Sequence, residues 1–231
     1  MKVTRIMAWI VAASVAVWIT GGPYDATASG EPVLLALGFS NAHVEFMAYQ
    51  QLVGTRVSRD VYRYENHLLV NGAFGGMSTD LWTVPSAFDK ARQRIPGGDE
   101  SSVRFVWFKI LAQGDRTVQP DTTAFVQDLA GDCSSAIQIM RSRYPNLQAV
   151  FVSGRTYGGW ADGYSTEPYA RLTWEAADAC VAGSPVAARG PYLWDPTWPR
   201  SYFHPTDGRH LSAAGAAAAA VILDDFFASV L

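Results

Sequence analysis

Asp207 and His210 stand three residues apart in the segment Asp207-Gly208-Arg209-His210-Leu211-Ser212. A carboxylate at that offset can hold one ring nitrogen of an imidazole and stabilise its protonated form, while the other nitrogen takes a proton from an alcohol. The alcohol is expected far upstream. Gly38-Phe39-Ser40-Asn41 directly follows the apolar run Val33 to Leu37, which puts Ser40 at the junction of a strand and a helix. A serine hydroxyl is a useful nucleophile only beside a base, so the three residues together predict a serine hydrolase: Ser40 attacks, His210 is the base and Asp207 fixes its tautomer. At the start of a helix Ser40 would also feel the positive end of the helix dipole.

Elements of a particular kind must bring these residues together. Apolar or β-branched runs at Val33 to Leu37, Leu68 to Val70, Val103 to Phe108 and Ala149 to Val152 read as strands. Helical patterns alternate with them, at His43 to Val53, Thr79 to Arg92, Thr122 to Arg143, Pro168 to Val181 and Ala213 to Val230. Such alternation predicts an α/β chain with a central parallel sheet covered on both faces by helices. Ligands of such a sheet bind beyond the carboxyl ends of its strands. Ser40, Gly75 and Gly76 after Asn71, Gln113, and Asp207 with His210 can all reach one such edge. Gly183 to Pro205, dense in Pro, Gly, Trp and Tyr, has neither helical nor strand periodicity and is expected to be an ordered loop of the site.

Composition narrows the partners. The chain has 231 residues, 49% of them hydrophobic, and a formal net charge of −3, which suits one globular domain. No run of Lys and Arg interleaved with aromatics is present, so nothing in the sequence favours nucleic acid. Lys2 and Arg5, the apolar stretch Ile6 to Ile19 and the small-x-small triplet Ala26-Thr27-Ala28 predict an export signal over 1–28, with the domain over 29–231. The alternative is a retained anchor, but the apolar stretch is shorter than the roughly 20 residues that span a bilayer. Membrane contact is expected through that segment alone, and the location is secreted or periplasmic. An oxidising compartment would let Cys133 and Cys180 pair; otherwise they are two buried thiols in helices. No zinc-ligand spacing occurs, and neither metal nor cofactor is expected. The oligomeric state is left open.

Over essentially the whole region after the signal, the chain resembles the SGNH, or GDSL-type, hydrolases. Gly38-Phe39-Ser40-Asn41 stands where that superfamily has Gly-Asp-Ser-Leu, and Asp207 to Ser212 is similar to its Asp-x-x-His block. A secreted branch whose first block reads Gly-Met-Ser-Asn is more similar still, through Val106-Trp107-Phe108-Lys109, Ser153-Gly154-Arg155-Thr156-Tyr157-Gly158-Gly159 and Glu167-Pro168-Tyr169-Ala170. The resemblance implies a three-layer α/β/α sandwich of flavodoxin-like type and hydrolysis of an ester through an acyl-enzyme on Ser40.

It also implies an oxyanion hole made of the serine N–H, a glycine N–H and an asparagine side chain. Ser40 and Gly76 supply the first two. The third departs from the pattern, because Ile110-Leu111-Ala112-Gln113-Gly114-Asp115 contains no asparagine. Gln113 could donate an amide there, or Lys109 a positive charge. Asn41, Arg155, Tyr157 and Trp160 are candidates for lining the substrate pocket. Trp82, Trp160, Trp194, Trp198 and Tyr202 are aromatics that could stack on sugar faces or line an acyl cleft. The expected substrate is a small-molecule or glycan ester, with acyl or acetyl groups on a carbohydrate foremost. The missing asparagine keeps open a non-catalytic carbohydrate-binding protein on the same scaffold, and the triad also suits an acyltransferase.

Overall fold

The computed structural model describes residues 30–112, 121–157 and 167–231. The elements run β1 (Val33–Leu37), α1 (Ser40–Val53), β2 (Thr55–Arg56), β3 (Val61–Tyr64), β4 (His67–Asn71), α2 (Ala87–Arg92), β5 (Val103–Lys109), α3 (Thr122–Arg143), β6 (Ala149–Ser153), α4 (Tyr169–Ala182), β7 (Ala187–Arg189) and α5 (Ala213–Phe227). Strands β1, β4, β5 and β6 are buried along their whole length. Helices cover both faces, so these strands are near-continuous apolar runs rather than half-polar alternations.

The seven strands lie in the order β2-β3-β4-β1-β5-β6-β7. From β1 the chain travels to one edge, returns to β4 beside β1, and then crosses to β5 on β1's other side. Strand order therefore reverses at β1, the position where open α/β sheets form their binding crevice. The parallel sheet expected from sequence is parallel from β4 through β7, but β2 and β3 add an antiparallel hairpin at one edge. These two strands are short, and only Val61 among their residues is buried, so they lack the apolar run that marks the others.

Alternate side chains divide the core in two. Val33, Leu35 and Leu37 of β1, with Val106 and Phe108 of β5, pack with α2, α3 and α4. Leu34, Ala36, Phe105 and Trp107 pack with α1 and α5. Phe46 of α1 stacks on Trp107 at 5.9 Å, and Tyr49 meets Phe227 of α5 at 5.5 Å. Truncating a ring such as Phe46 to alanine costs about 3 to 5 kcal/mol. This layer fixes the helix that begins at Ser40.

Two expectations change. The helix read over Thr79 to Arg92 is a 3-10 turn at Thr79–Thr83 followed by α2. Pro85 has no N–H to donate and drives the residue before it, Val84, into extended backbone. The segment Gly183 to Pro205 is not wholly irregular, because β7 passes through it and joins β6. Cys133 of α3 and Cys180 of α4 form a disulfide with a Cα separation of 6.2 Å. The expected export signal lies outside the described residues, among which no helix is long and apolar enough to cross a membrane.

Candidate functional site

The turn from β1 into α1 is tight. Gly38 has φ +138°, and a Cβ there would lie 2.7 Å from the Lys109 carbonyl oxygen at the end of β5. A side chain would be strained and would collide with backbone, so glycine is required for Ser40 to begin its helix beside the neighbouring strand. No side chain caps α1, which leaves the first amides of the helix, where the dipole is positive, uncovered by a capping group.

The imidazole comes from the other end of the chain, through a loop held at several points. Ser212 caps α5 through Gly215 N–H and donates its hydroxyl to the Ser201 carbonyl. Phe203 and Leu211 form an isolated bridge, and His204 N–H donates to the His210 carbonyl at 2.7 Å. Across the site, Asn41 Nδ2 donates to the Arg209 carbonyl at 3.1 Å. Ser40 Oγ lies 2.8 Å from His210 Nε2, and His210 Nδ1 lies 2.7 Å from Asp207 Oδ2. An ionised carboxylate only accepts, so Nδ1 carries the ring hydrogen and Nε2 is left to accept from the serine hydroxyl.

Asp207 is fixed by more than the ring. Its Oδ1 accepts from the backbone N–H of Arg209 at 2.8 Å and of His210 at 3.0 Å. Burial, the largest single influence, pushes its carboxyl up, but the hydrogen bonds from the His210 ring and the two amides together outweigh it and hold the group well below the usual carboxylate range. The group stays an anion beside the imidazole, and can stabilise a positive charge developing there.

The other sequence-derived candidates separate clearly. Gly76 is exposed in the loop after β4 with φ +77°, and that loop is tied to the nucleophile turn by Phe74 N–H donating to the Gly38 carbonyl at 3.2 Å. Lys109 is engaged by Glu45 and Thr156. The alternation of β5 turns it toward α1, where its ammonium sits 2.6 and 2.5 Å from the two oxygens of Glu45 and 2.5 Å from Thr156 Oγ1, with both charged side chains 0% exposed. Burial pushes the ammonium down to about 8, with Glu45 opposing the shift. Gln113 and Trp160 lie outside the described residues.

Asn41 is buried and holds the histidine loop rather than lining an open pocket. Arg155 is also buried, with its guanidinium 5.2 Å from the Phe39 ring. Tyr157 packs edge-on against Trp194 at 5.8 Å. Trp82 and Trp198 are core residues, whereas Trp194 and Tyr202 keep partial exposure. Among the described residues no three His, Cys, Asp or Glu gather as metal ligands.

Sequence reasoning passed over Glu45, Thr156 and Asn71. Glu45 is a charged residue on a buried helix position, five residues after Ser40, and that was the available signal for a partner to Lys109. Asn71 closes β4 and ties α1 to the loop behind it. Its Nδ2 donates to the His43 carbonyl at 2.9 Å and its Oδ1 accepts from Ala73 N–H at 3.3 Å.

No protein-family model matches the chain. No curated protein matches it either. Solved structures do. A lipase, Lip_vut3, from a goat rumen metagenome superposes with a TM-score of 0.53 at 13% identity, covering 84% of this chain and 96% of that one. A family 2 carbohydrate esterase with a carbohydrate-binding domain, from Corynascus thermopiles, gives 0.54 at 12% identity over 85% of this chain; this chain spans 65% of that protein's length. A putative SGNH hydrolase from Slackia heliotrinireducens matches at 18% identity with a TM-score of 0.45, covering 86% of this chain and all of that one. With strand order reversing at β1 and helices on both faces of the sheet, the chain shares the α/β fold of that lipase and that carbohydrate esterase.

Proposed function

We propose that this chain is an exported serine esterase that removes acyl groups, acetyl foremost, from a carbohydrate or small ester. The observation that carries the reading is the continuous line from Ser40 Oγ to His210 Nε2 at 2.8 Å and from His210 Nδ1 to Asp207 Oδ2 at 2.7 Å. The fold shared with a lipase and a carbohydrate esterase supports it.

In this reading His210 Nε2 takes the serine proton as Ser40 Oγ bonds to the ester carbon, and Asp207 stabilises the imidazolium. The oxyanion faces the amides of Ser40 and Gly76. His210 then gives its proton to the departing alcohol, leaving an acyl-Ser40 ester. Water attacks that ester, again with His210 as base, and restores the hydroxyl. Because Lys109 is committed to Glu45, the third oxyanion donor is supplied by another group or by none, and losing one such donor costs on the order of a hundredfold to a thousandfold in turnover.

Purified protein should hydrolyse p-nitrophenyl acetate and acetylated xylo-oligosaccharides and should be labelled on Ser40 by a fluorophosphonate. Absence of both turnover and labelling would overturn the assignment. Glycan binding without either would favour a binding protein on this scaffold. Acyl transfer to added sugar alcohols in preference to water would make it a transferase.

A further inference from the structure

A cleft of about 810 Å³ opens against α1 on the side of β3 and β4. It begins close to the nucleophile. His43, one of its lining residues, is a single turn along α1 from Ser40, about 4.5 Å of axial rise, and Phe74, another, precedes the Gly75-Gly76 turn by one residue. From there the cleft follows α1 past Met47 to Gln51, roughly 12 Å further along the helix axis.

Its charge is opposite to that of the molecule. Arg56, Arg59, Lys90 and Arg94 line it against a single carboxylate, Asp60, in a chain whose net charge is −3. Asp60 is engaged by Arg94 at 3.8 Å. Arg56, Arg59 and Lys90 pair with no carboxylate among the described residues. Arg94 is held in place: its guanidinium donates to the Asn71 carbonyl at 2.7 Å and stacks over the Phe74 ring at 4.0 Å. Between the cations stand the amides Gln51 and Gln93 and the ring of Tyr62, groups that suit hydroxyls and sugar faces.

We infer that this cleft is the substrate-binding groove of the esterase and that it takes the acidic stretch of a glycan ester, with carboxylates of uronic acid residues lying against Arg59, Lys90 and Arg94. The inference rests on the esterase reading. The cations come from two separate segments, 56–59 in β2 and the turn after it and 90–94 in α2 and the turn after it, so they suit several spaced charges along a chain better than one phosphate. Amides and rings among them suit a sugar backbone. Like charges left uncompensated along an open cleft attract an anionic substrate and lower its KM, an effect that salt screens.

The test compares an acetylated oligogalacturonide with an acetylated xylo-oligosaccharide of the same length. The full chain should favour the acidic ester in kcat/KM by about tenfold at low salt, a preference that shrinks in 0.5 M NaCl. The double variant Arg59→Gln/Lys90→Gln, at exposed positions, should bring the ratio toward one. A ratio of one or less in the unaltered chain, or a ratio that survives the double variant, overturns the inference. Should neither ester be turned over, the esterase reading fails separately, and calorimetry with the unacetylated oligogalacturonide decides the cleft. Binding lost in the double variant sustains it, and no binding overturns it. Tighter binding of a single-stranded oligonucleotide than of the oligogalacturonide would also overturn the glycan assignment.

Discussion

Asp207 and His210 have side chains 38% and 40% exposed, whereas Glu45 and Lys109, the second carboxylate and cation pair at α1, have none of theirs exposed. Both pairs approach 2.5 to 2.7 Å, and both stand near the first turns of the same helix. Exposure separates their uses. A proton exchanged with substrate and water in each turnover requires an imidazole that both can reach. A pair sealed in the core pays several kcal/mol of desolvation per ion, and either member alone would be a charge with no compensation. The first pair can therefore cycle protons, while the second fixes β5 to α1 and, with Thr156, to the segment after β6. A lysine at the end of β5 looks chemical in sequence; in the fold its ammonium is enclosed with Glu45 and Thr156.

That contrast can be broken by substitution. The largest effect is expected at Ser40→Ala and His210→Ala, each lowering kcat by about 10⁴-fold or more with little change in melting temperature. Comparable turnover in Ser40→Ala would remove the exposed pair from the chemistry. Next, Asp207→Asn should lose about 10³- to 10⁴-fold, because an amide favours the wrong histidine tautomer and cannot stabilise the imidazolium. At the buried pair the effect moves from rate to stability. Lys109→Met leaves Glu45 charged and unpaired and should cost about 3 to 5 kcal/mol in denaturant unfolding. Glu45→Leu/Lys109→Met should recover most of that loss, and active sites counted by phosphonate titration should keep turnover within about tenfold. A large fall in kcat per titrated site in the double variant would return Lys109 to the oxyanion hole.

The smallest expected effect is a pH dependence of stability. The folded state holds the Asp207 carboxyl below its usual value, so its contribution is fully present above the unfolded carboxylate pKa of about 4 and is lost as pH falls below it. The melting-temperature gap between the unaltered chain and Asp207→Asn should narrow from pH 7 to pH 3. A gap that widened on acidification would reverse the sign.

The sequence carried the central strands and the long helices because each pays for burial with an apolar run of the right length. It carried the spacing of Asp207 and His210 because three residues of loop suffice to turn a carboxylate onto a ring. Pairings made only by folding were not legible. Lys109 meets Glu45 across the strand and helix layers, and Asn41 meets Arg209 from opposite ends of the chain. Arg56 and Arg59 join Lys90 and Arg94 in one cleft although neither segment is rich enough in charge to stand out. The hairpin β2–β3 was missed for a related reason: strands of two and four residues carry little periodicity.

The same short strands govern how the molecules behave toward one another. The sheet ends in two residues at β2 and three at β7, and both terminal strands carry an arginine, Arg56 and Arg189. An edge that brief presents few unpaired amides and carbonyls for a second chain to extend, and its charge opposes close approach. Four central strands, β1, β4, β5 and β6, are thereby kept from recruiting neighbours edge to edge, so concentrated solutions of the folded chain should resist fibrous self-association even though the sheet's interior would readily support it.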